Sequence, residues 1–140
     1  MTGSLFTCGA DSSSSKPGDQ LGIGGSKDAT GKLFFFSSDK TSKDLIGRTT
    51  IEPRSWNHIA LVREGKKVRV YLNGKSEPEI AGELTLAPNA AHGELVFAGR
   101  HDNSFNLEGK MSEAALFARA LTAKEVKSHY DAAGLSPGGN

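Results

Sequence analysis

Apolar and polar positions alternate with a period of two along much of this chain, most clearly over residues 56–74. Trp56, His58, Ala60 and Val62 fall on one face of an extended segment, and Asn57, Ile59, Leu61 and Arg63 on the other. On the following segment Val68, Val70 and Leu72 share a face opposite Arg69 and Tyr71. The connector Glu64-Gly65-Lys66-Lys67 between them reads as a hairpin turn, and Asn73-Gly74 as a second tight turn needing positive φ. Ile59 and Leu61 with Val68, Val70 and Leu72 are the more uniformly apolar sets, so they are predicted to face the core.

The same pattern predicts shorter strands over residues 3–7, 20–24, 31–37, 44–51, 79–86, 94–98 and 107–117, with Pro53 closing the fourth of these. Leu33-Phe34-Phe35-Phe36 is apolar on both faces, which predicts a strand buried between two layers. An aromatic platform for sugars would instead require one of these Phe residues to face solvent. Polar loops are expected over 10–19, with four consecutive serines, over 88–93 and over 99–106. The pattern changes near the end. Thr122-Ala123-Lys124-Glu125 is a capping box, and Leu121 with Val126 a hydrophobic staple. One short helix over 123–133 should therefore pack Val126 and Tyr130 onto the strands, with Gly134 ending it. Residues 1–135 are expected to form one domain and 136–140 a linker or tail.

Composition narrows the partners more than the fold. The formal net charge is +1 and no run of Lys or Arg exceeds two, so nothing electrostatic favours nucleic acid or an anionic membrane. No apolar run approaches the ~20 residues of a membrane-spanning helix, and Met1-Thr2-Gly3-Ser4 does not begin a signal peptide. The single cysteine, Cys8, excludes an internal disulfide and reads as a half-buried strand residue rather than a nucleophile.

Two motifs carry a family resemblance. Trp56-Asn57-His58-Ile59-Ala60-Leu61-Val62, followed by Val70-Tyr71-Leu72-Asn73-Gly74-Lys75, resembles the paired signature of laminin-G-like, concanavalin A-like domains, where a Trp-x-His-Val-Ala strand precedes a Tyr-Val-Asp-Gly-Lys hairpin end. The stretch from Gly109 to Val126 resembles that family's closing strand, leading through Arg119-Ala120-Leu121-Thr122 into a helix with Glu125. The resemblance covers residues 3–134. It departs at Asn73 and Ser112, which stand where the family has Asp, and the chain starts just after the family's aromatic-rich opening strand. It implies an all-β, two-sheet antiparallel jelly-roll sandwich with one short C-terminal helix. It also implies a non-catalytic module of a larger extracellular, periplasmic or cell-surface protein, binding carbohydrate or protein, sometimes with Ca²⁺. A missing opening strand would expose pairing groups, a hazard for either an edge-strand dimer or aggregation that leaves the oligomeric state open.

Candidate chemistry concentrates in the loop after Gly99. Arg100, His101, Asp102, Asn103 and Phe105 supply planar hydrogen-bonding groups beside an aromatic ring, the combination a sugar site needs. Asp102, Asn103 and Glu108, with Asn106, are the best oxygen donors for a weakly held calcium ion. His58 reads as a scaffold residue bonded to a neighbouring strand or loop. A polysaccharide hydrolase of this fold needs two carboxylates flanking the bond. The Glu-x-Asp-x-x-Glu pattern of related glucanases is absent, and Glu77-Pro78-Glu79 reads as a solvated turn. No zinc motif occurs, and Gly22-Ile23-Gly24-Gly25 lacks the helix and lysine of a phosphate loop. The expected activity is binding, with carbohydrate first. A protein-adhesion or spacer module is the alternative, and a glycoside hydrolase a distant third.

Overall fold

The structure, a computed structural model, describes residues 2–8, 18–25, 27–37, 44–84, 94–100 and 103–135. The predicted loops over 10–19 (all but its last two residues) and 88–93, and the tail over 136–140, lie outside the described residues. The strands are β1 (Gly3–Cys8), β2 (Asp19–Ile23), β3 (Lys32–Ser37), β4 (Leu45–Thr50), β5 (Ile59–Glu64), β6 (Lys67–Leu72), β7 (Ile80–Glu83) and β8 (Leu95–Phe97). One helix, α1 (Ala123–Ala132), follows them. All strand pairs are antiparallel. They form a five-stranded sheet ordered β4-β3-β2-β1-β8 and a three-stranded sheet ordered β5-β6-β7. This is the two-sheet antiparallel sandwich that the resemblance implies.

The core lies where the two inner faces meet. Leu21 and Ile23 of β2 and Leu33 and Phe35 of β3 pack against Val68, Val70 and Leu72 of β6 and Ile80 of β7. Ile59 and Leu61 of β5 join this cluster partly buried, so the predicted core face of the hairpin is the observed one. The position of each strand across the sandwich follows from contacts between the sheets. Arg63 of β5 pairs with Asp19 of β2, and a Cβ on Gly82 of β7 would meet Leu45 of β4. The three-stranded sheet therefore covers β2, β3 and β4. The wider sheet runs two strands further, about 10 Å at the usual strand spacing. At that end cover is incomplete: Leu5 and Phe6 of β1 are only partly buried. Phe97 of β8, opposite Phe6 and on the same face, is 41% exposed.

On the other face of the narrow sheet, Val62 and Tyr71 pack with Val126 of α1, flanked by Ala60, Ala120, Leu121 and Ala123. The capping box forms as predicted: the Thr122 side chain accepts from the Glu125 N–H, and the Glu125 carboxylate accepts from the Thr122 N–H. The guanidinium of Arg119, hydrogen-bonded to Glu125, joins the Thr122 donors in holding that carboxyl down at about 2. Helix and staple together fasten α1 to the outside of the β5–β6 hairpin.

Two strand expectations are corrected. Phe35 is fully buried, but Phe34 is half-buried and Phe36 is 36% exposed, so β3 is covered on one face only. Its outer face looks out beside Ile46, opposite Phe34 on β4, because no second layer lies there among the described residues. Residues 107–117 are not a strand. They run without turn or bend from Lys110 to Phe117, but they pair with no neighbour among the described residues.

Candidate functional site

The loop singled out by its composition is built on β1. It leaves β8 at Ala98, whose N–H donates to the Leu5 carbonyl, and it returns when the Leu107 N–H donates to the Ala98 carbonyl (2.9 Å). Leu5 is the extra residue of a bulge in β1, where the register with β2 shifts between Ser4 and Phe6. The Thr7 hydroxyl, buried, donates to the Gly99 carbonyl (3.0 Å), and the Ser4 N–H to the Phe105 carbonyl (2.8 Å). Thus β1 grips the loop at both ends through backbone atoms. That approach requires Gly3, at φ 129°: a Cβ there would sit 2.5 Å from the Asn106 carbonyl oxygen and 2.6 Å from Leu107 Cα. Only glycine enters that region of φ without strain.

Among the described residues of this segment, the non-glycine residues Ala98, Asn103 and Phe105 also have positive φ. Such conformations are uncommon and cluster where surrounding structure imposes a shape for binding. Here the result is an outward Phe105, 66% exposed, with the Arg100 guanidinium 5.4 Å from its ring centroid. The Asn103 N–H donates to the Arg100 carbonyl (3.1 Å), and the Asn106 amide donates to Asn103 Oδ1 (3.2 Å). The fold therefore brings Arg100, Asn103 and Phe105 together. His101 and Asp102 lie outside the described residues. Of the proposed calcium donors, Glu108 turns to β1, its Oε2 accepting from the Thr2 N–H (3.2 Å) and hydroxyl (3.3 Å). Among the described residues no three His, Cys, Asp or Glu side chains gather as a metal would require.

His58 is scaffold through its backbone. Its N–H donates to Asn73 Oδ1 and its carbonyl accepts from the Asn73 N–H, both 2.9 Å or shorter, while Asn73 Nδ2 donates to Asn57. The imidazole packs edge-on against Tyr130 of α1, and its Nδ1 is buried without a hydrogen-bond partner among the described residues. Burial, and then the charge of His129, lower its pKa below the ordinary 6.5. The unfolded chain then takes up the proton first, so this contribution to stability is complete above about pH 6.5 and is lost as pH falls through the lower folded value. Thermal unfolding between pH 8 and 5 should show Tm falling below about pH 6.5, and His58→Leu should remove that slope. A wild-type Tm constant across the range would refute the assignment.

A second concavity lies at the opposite edge of the sandwich, between β4 and β7. It has a volume of about 450 Å³ and is lined by Asp44, Arg48, Glu77 and Glu79 among others. Contrary to the solvated turn expected for Glu77-Pro78-Glu79, Glu79 is buried. Its Oε1 accepts from the N–H groups of Arg48 and Thr49, and its Oε2 from the Thr49 hydroxyl (2.9 Å). Burial by itself raises the Glu79 pKa, but the bonds from Thr49 and Arg48, with the charge of Lys75, outweigh it and hold the carboxyl below its ordinary value. A general acid for glycoside hydrolysis needs the reverse shift, so Glu79 is not suited to that role.

The fold and its sheet arrangement define a lectin-like β-sandwich. The chain belongs to the laminin-G-type family of the concanavalin A-like lectin/glucanases superfamily, whose model matches residues 2–127. A crystal structure of an S-layer domain-containing protein from Clostridium thermocellum is similar at 21% identity and a TM-score of 0.42, over 92% of this chain and 63% of that one. This chain thus spans less than two thirds of that protein's solved length. No curated protein sequence matches it.

Proposed function

We propose that this domain is a non-catalytic carbohydrate-binding module whose contact surface is the loop over residues 99–106. The observation that carries the reading is the outward Phe105, held by a backbone-anchored loop beside Arg100 and Asn103. A sugar presents a C–H face that packs on an aromatic ring and a rim of hydroxyls that hydrogen-bond to planar amide and guanidinium groups. Because β1 fixes both ends of the loop before any ligand arrives, less ordering entropy is spent on binding. Membership of the lectin/glucanase superfamily supports a binding role, and an extracellular or cell-surface setting within a larger protein is part of the same proposal. No helix among the described residues is long and apolar enough to cross a membrane.

Titration calorimetry guided by a glycan array, with calcium and with EDTA, tests this. Phe105→Ala should weaken sugar binding by at least about tenfold, ~1.4 kcal/mol, with an unchanged far-UV CD spectrum because the side chain is largely solvent-exposed. A calcium-dependent signal would bring Asp102, Asn103 and Glu108 into the site. Absence of sugar binding under both conditions, or full binding by Phe105→Ala, would exclude the reading and favour a protein-adhesion module.

A further inference from the structure

Among the described residues two buried apolar clusters form, and they share no residue. One lies between the sheets, around Leu33, Phe35, Val68 and Val70. The other lies outside the narrow sheet, where Val126 of α1 meets Val62 and Tyr71. Val126 is the buried residue of that helix. The helix can therefore leave without opening the core between the sheets. At ten residues α1 is too short to persist alone in water, so its helical hydrogen bonds report on its docking.

Two histidines meet at this junction. His58, immediately before β5, sets its ring edge-on to Tyr130 of α1, with centroids 6.0 Å apart. Tyr130 also presses on the turn after β6, where a Cβ on Gly74 would stand 2.5 Å from its ring. The neighbouring His129 packs its ring on Phe117 at 5.2 Å, and it lies close enough for its charge to act on His58. Other charges on these elements are engaged elsewhere. Lys127 pairs with Asp131 and Arg119 with Glu125, both at 2.6 Å. Lys75 acts on Glu79, and Lys124 is exposed in the first turn of the helix. Docking therefore disfavours an imidazolium at His58 twice over, by burial under α1 and by the His129 charge. Lifting the helix admits water to the ring and separates the two charges.

We propose that the His58–His129 contact makes α1 a proton-sensitive latch, which mild acid releases from the β5–β6 hairpin while the two sheets stay packed. The acid sensitivity that His58 brings to the domain is then expressed first as local opening. Release uncovers Val62 and Tyr71 and turns an apolar patch to solvent. With the undocked imidazole at the ordinary ~6.5, lowering the pH from about 7.5 to about 5.5 favours release by up to about tenfold, the full factor applying where docked His58 stays neutral. The latch is independent of whether the 99–106 loop binds sugar.

Amide hydrogen exchange of the full chain at those two pH values, corrected for intrinsic exchange rates, tests it. At both, the amides of α1 should be less protected than those of Phe35 and Val70, and between them α1 should lose up to about tenfold in protection. His58→Leu should keep α1 docked and abolish that loss. His129→Gln, at an exposed position, should reduce it. Equal protection of α1 and the strands overturns the proposal, because the helix would then open only when the whole domain unfolds. So does α1 protection that does not change with pH. A loss of the same size in wild type and both variants overturns it as well, because the sensitivity would then come from other groups.

Discussion

Gly74→Ala is expected to lower stability by about 2–5 kcal/mol, from two separable costs. Asn73 and Gly74 form the turn after β6 with φ of 52° and 66°, and the Lys75 N–H donates back to the Leu72 carbonyl (3.2 Å). An alanine forced into that left-handed region costs roughly 1–2 kcal/mol. Its Cβ would also lie 2.5 Å from Tyr130 Cδ1 and 2.8 Å from Tyr130 Cβ and Cγ, well inside contact distance. Tyr130 belongs to α1, so relief requires the helix to move outward, and overpacking of this kind costs roughly 1–3 kcal/mol more. The same movement would loosen Val126 from Val62 and Tyr71. Urea denaturation of Gly74→Ala in wild-type and Tyr130→Ala backgrounds separates the two parts. The φ cost should persist in both, and the steric cost should fall when the ring is removed, leaving only the contact with the Cβ at position 130. Equal penalties in the two backgrounds would show that the turn does not limit how closely α1 docks.

That turn and that helix were legible in the sequence because their determinants are local. Asn73-Gly74 states its φ requirement within two residues, and Thr122 with Glu125 states a helix start within four. The five β5–β6 residues predicted to face the core do so because alternation fixes the face of every residue once one is placed. Expectations failed where the answer depends on a distant partner. Residues 107–117 alternate and resemble a closing strand, yet a strand exists only when a neighbour supplies its hydrogen bonds, and none of the described strands does. The triple phenylalanine could not say whether a second layer covers its outer face, and Phe36, 36% exposed, is left uncovered by the described residues. The candidate loop was visible because Arg100, Asn103 and Phe105 are close in sequence. What shapes it, Gly3, Ser4 and Thr7, lies at the other end of the chain. The Thr7–Gly99 bond spans 92 positions, and no local pattern announces such a contact.

Glu79 is the sharpest case of a residue whose meaning is tertiary, and removing its carboxylate should be the second large effect. Glu79 stands immediately before β7, and the donors it satisfies are consecutive N–H groups in β4, so it ties the edge of one sheet to the edge of the other. The Arg48 guanidinium reinforces the same junction by donating to the Pro78 carbonyl (3.0 Å). Glu79→Ala would leave two strand amides and the Thr49 hydroxyl without their acceptor, at a cost of about 2–4 kcal/mol at pH 7. The pH dependence has a definite sign. The folded pKa lies below the ordinary 4.5, so the carboxylate's contribution is complete above about pH 4.5 and is lost as pH falls through the lower folded value. Glu79→Gln keeps one acceptor oxygen and the shape but loses the charge, so it should be less stable than wild type at pH 7 and approach it near pH 3. Chemical denaturation at those two pH values decides the matter. A stability difference that stays constant between them would mean that Glu79 holds the sheets together by shape alone, and that its ionisation contributes nothing to the junction.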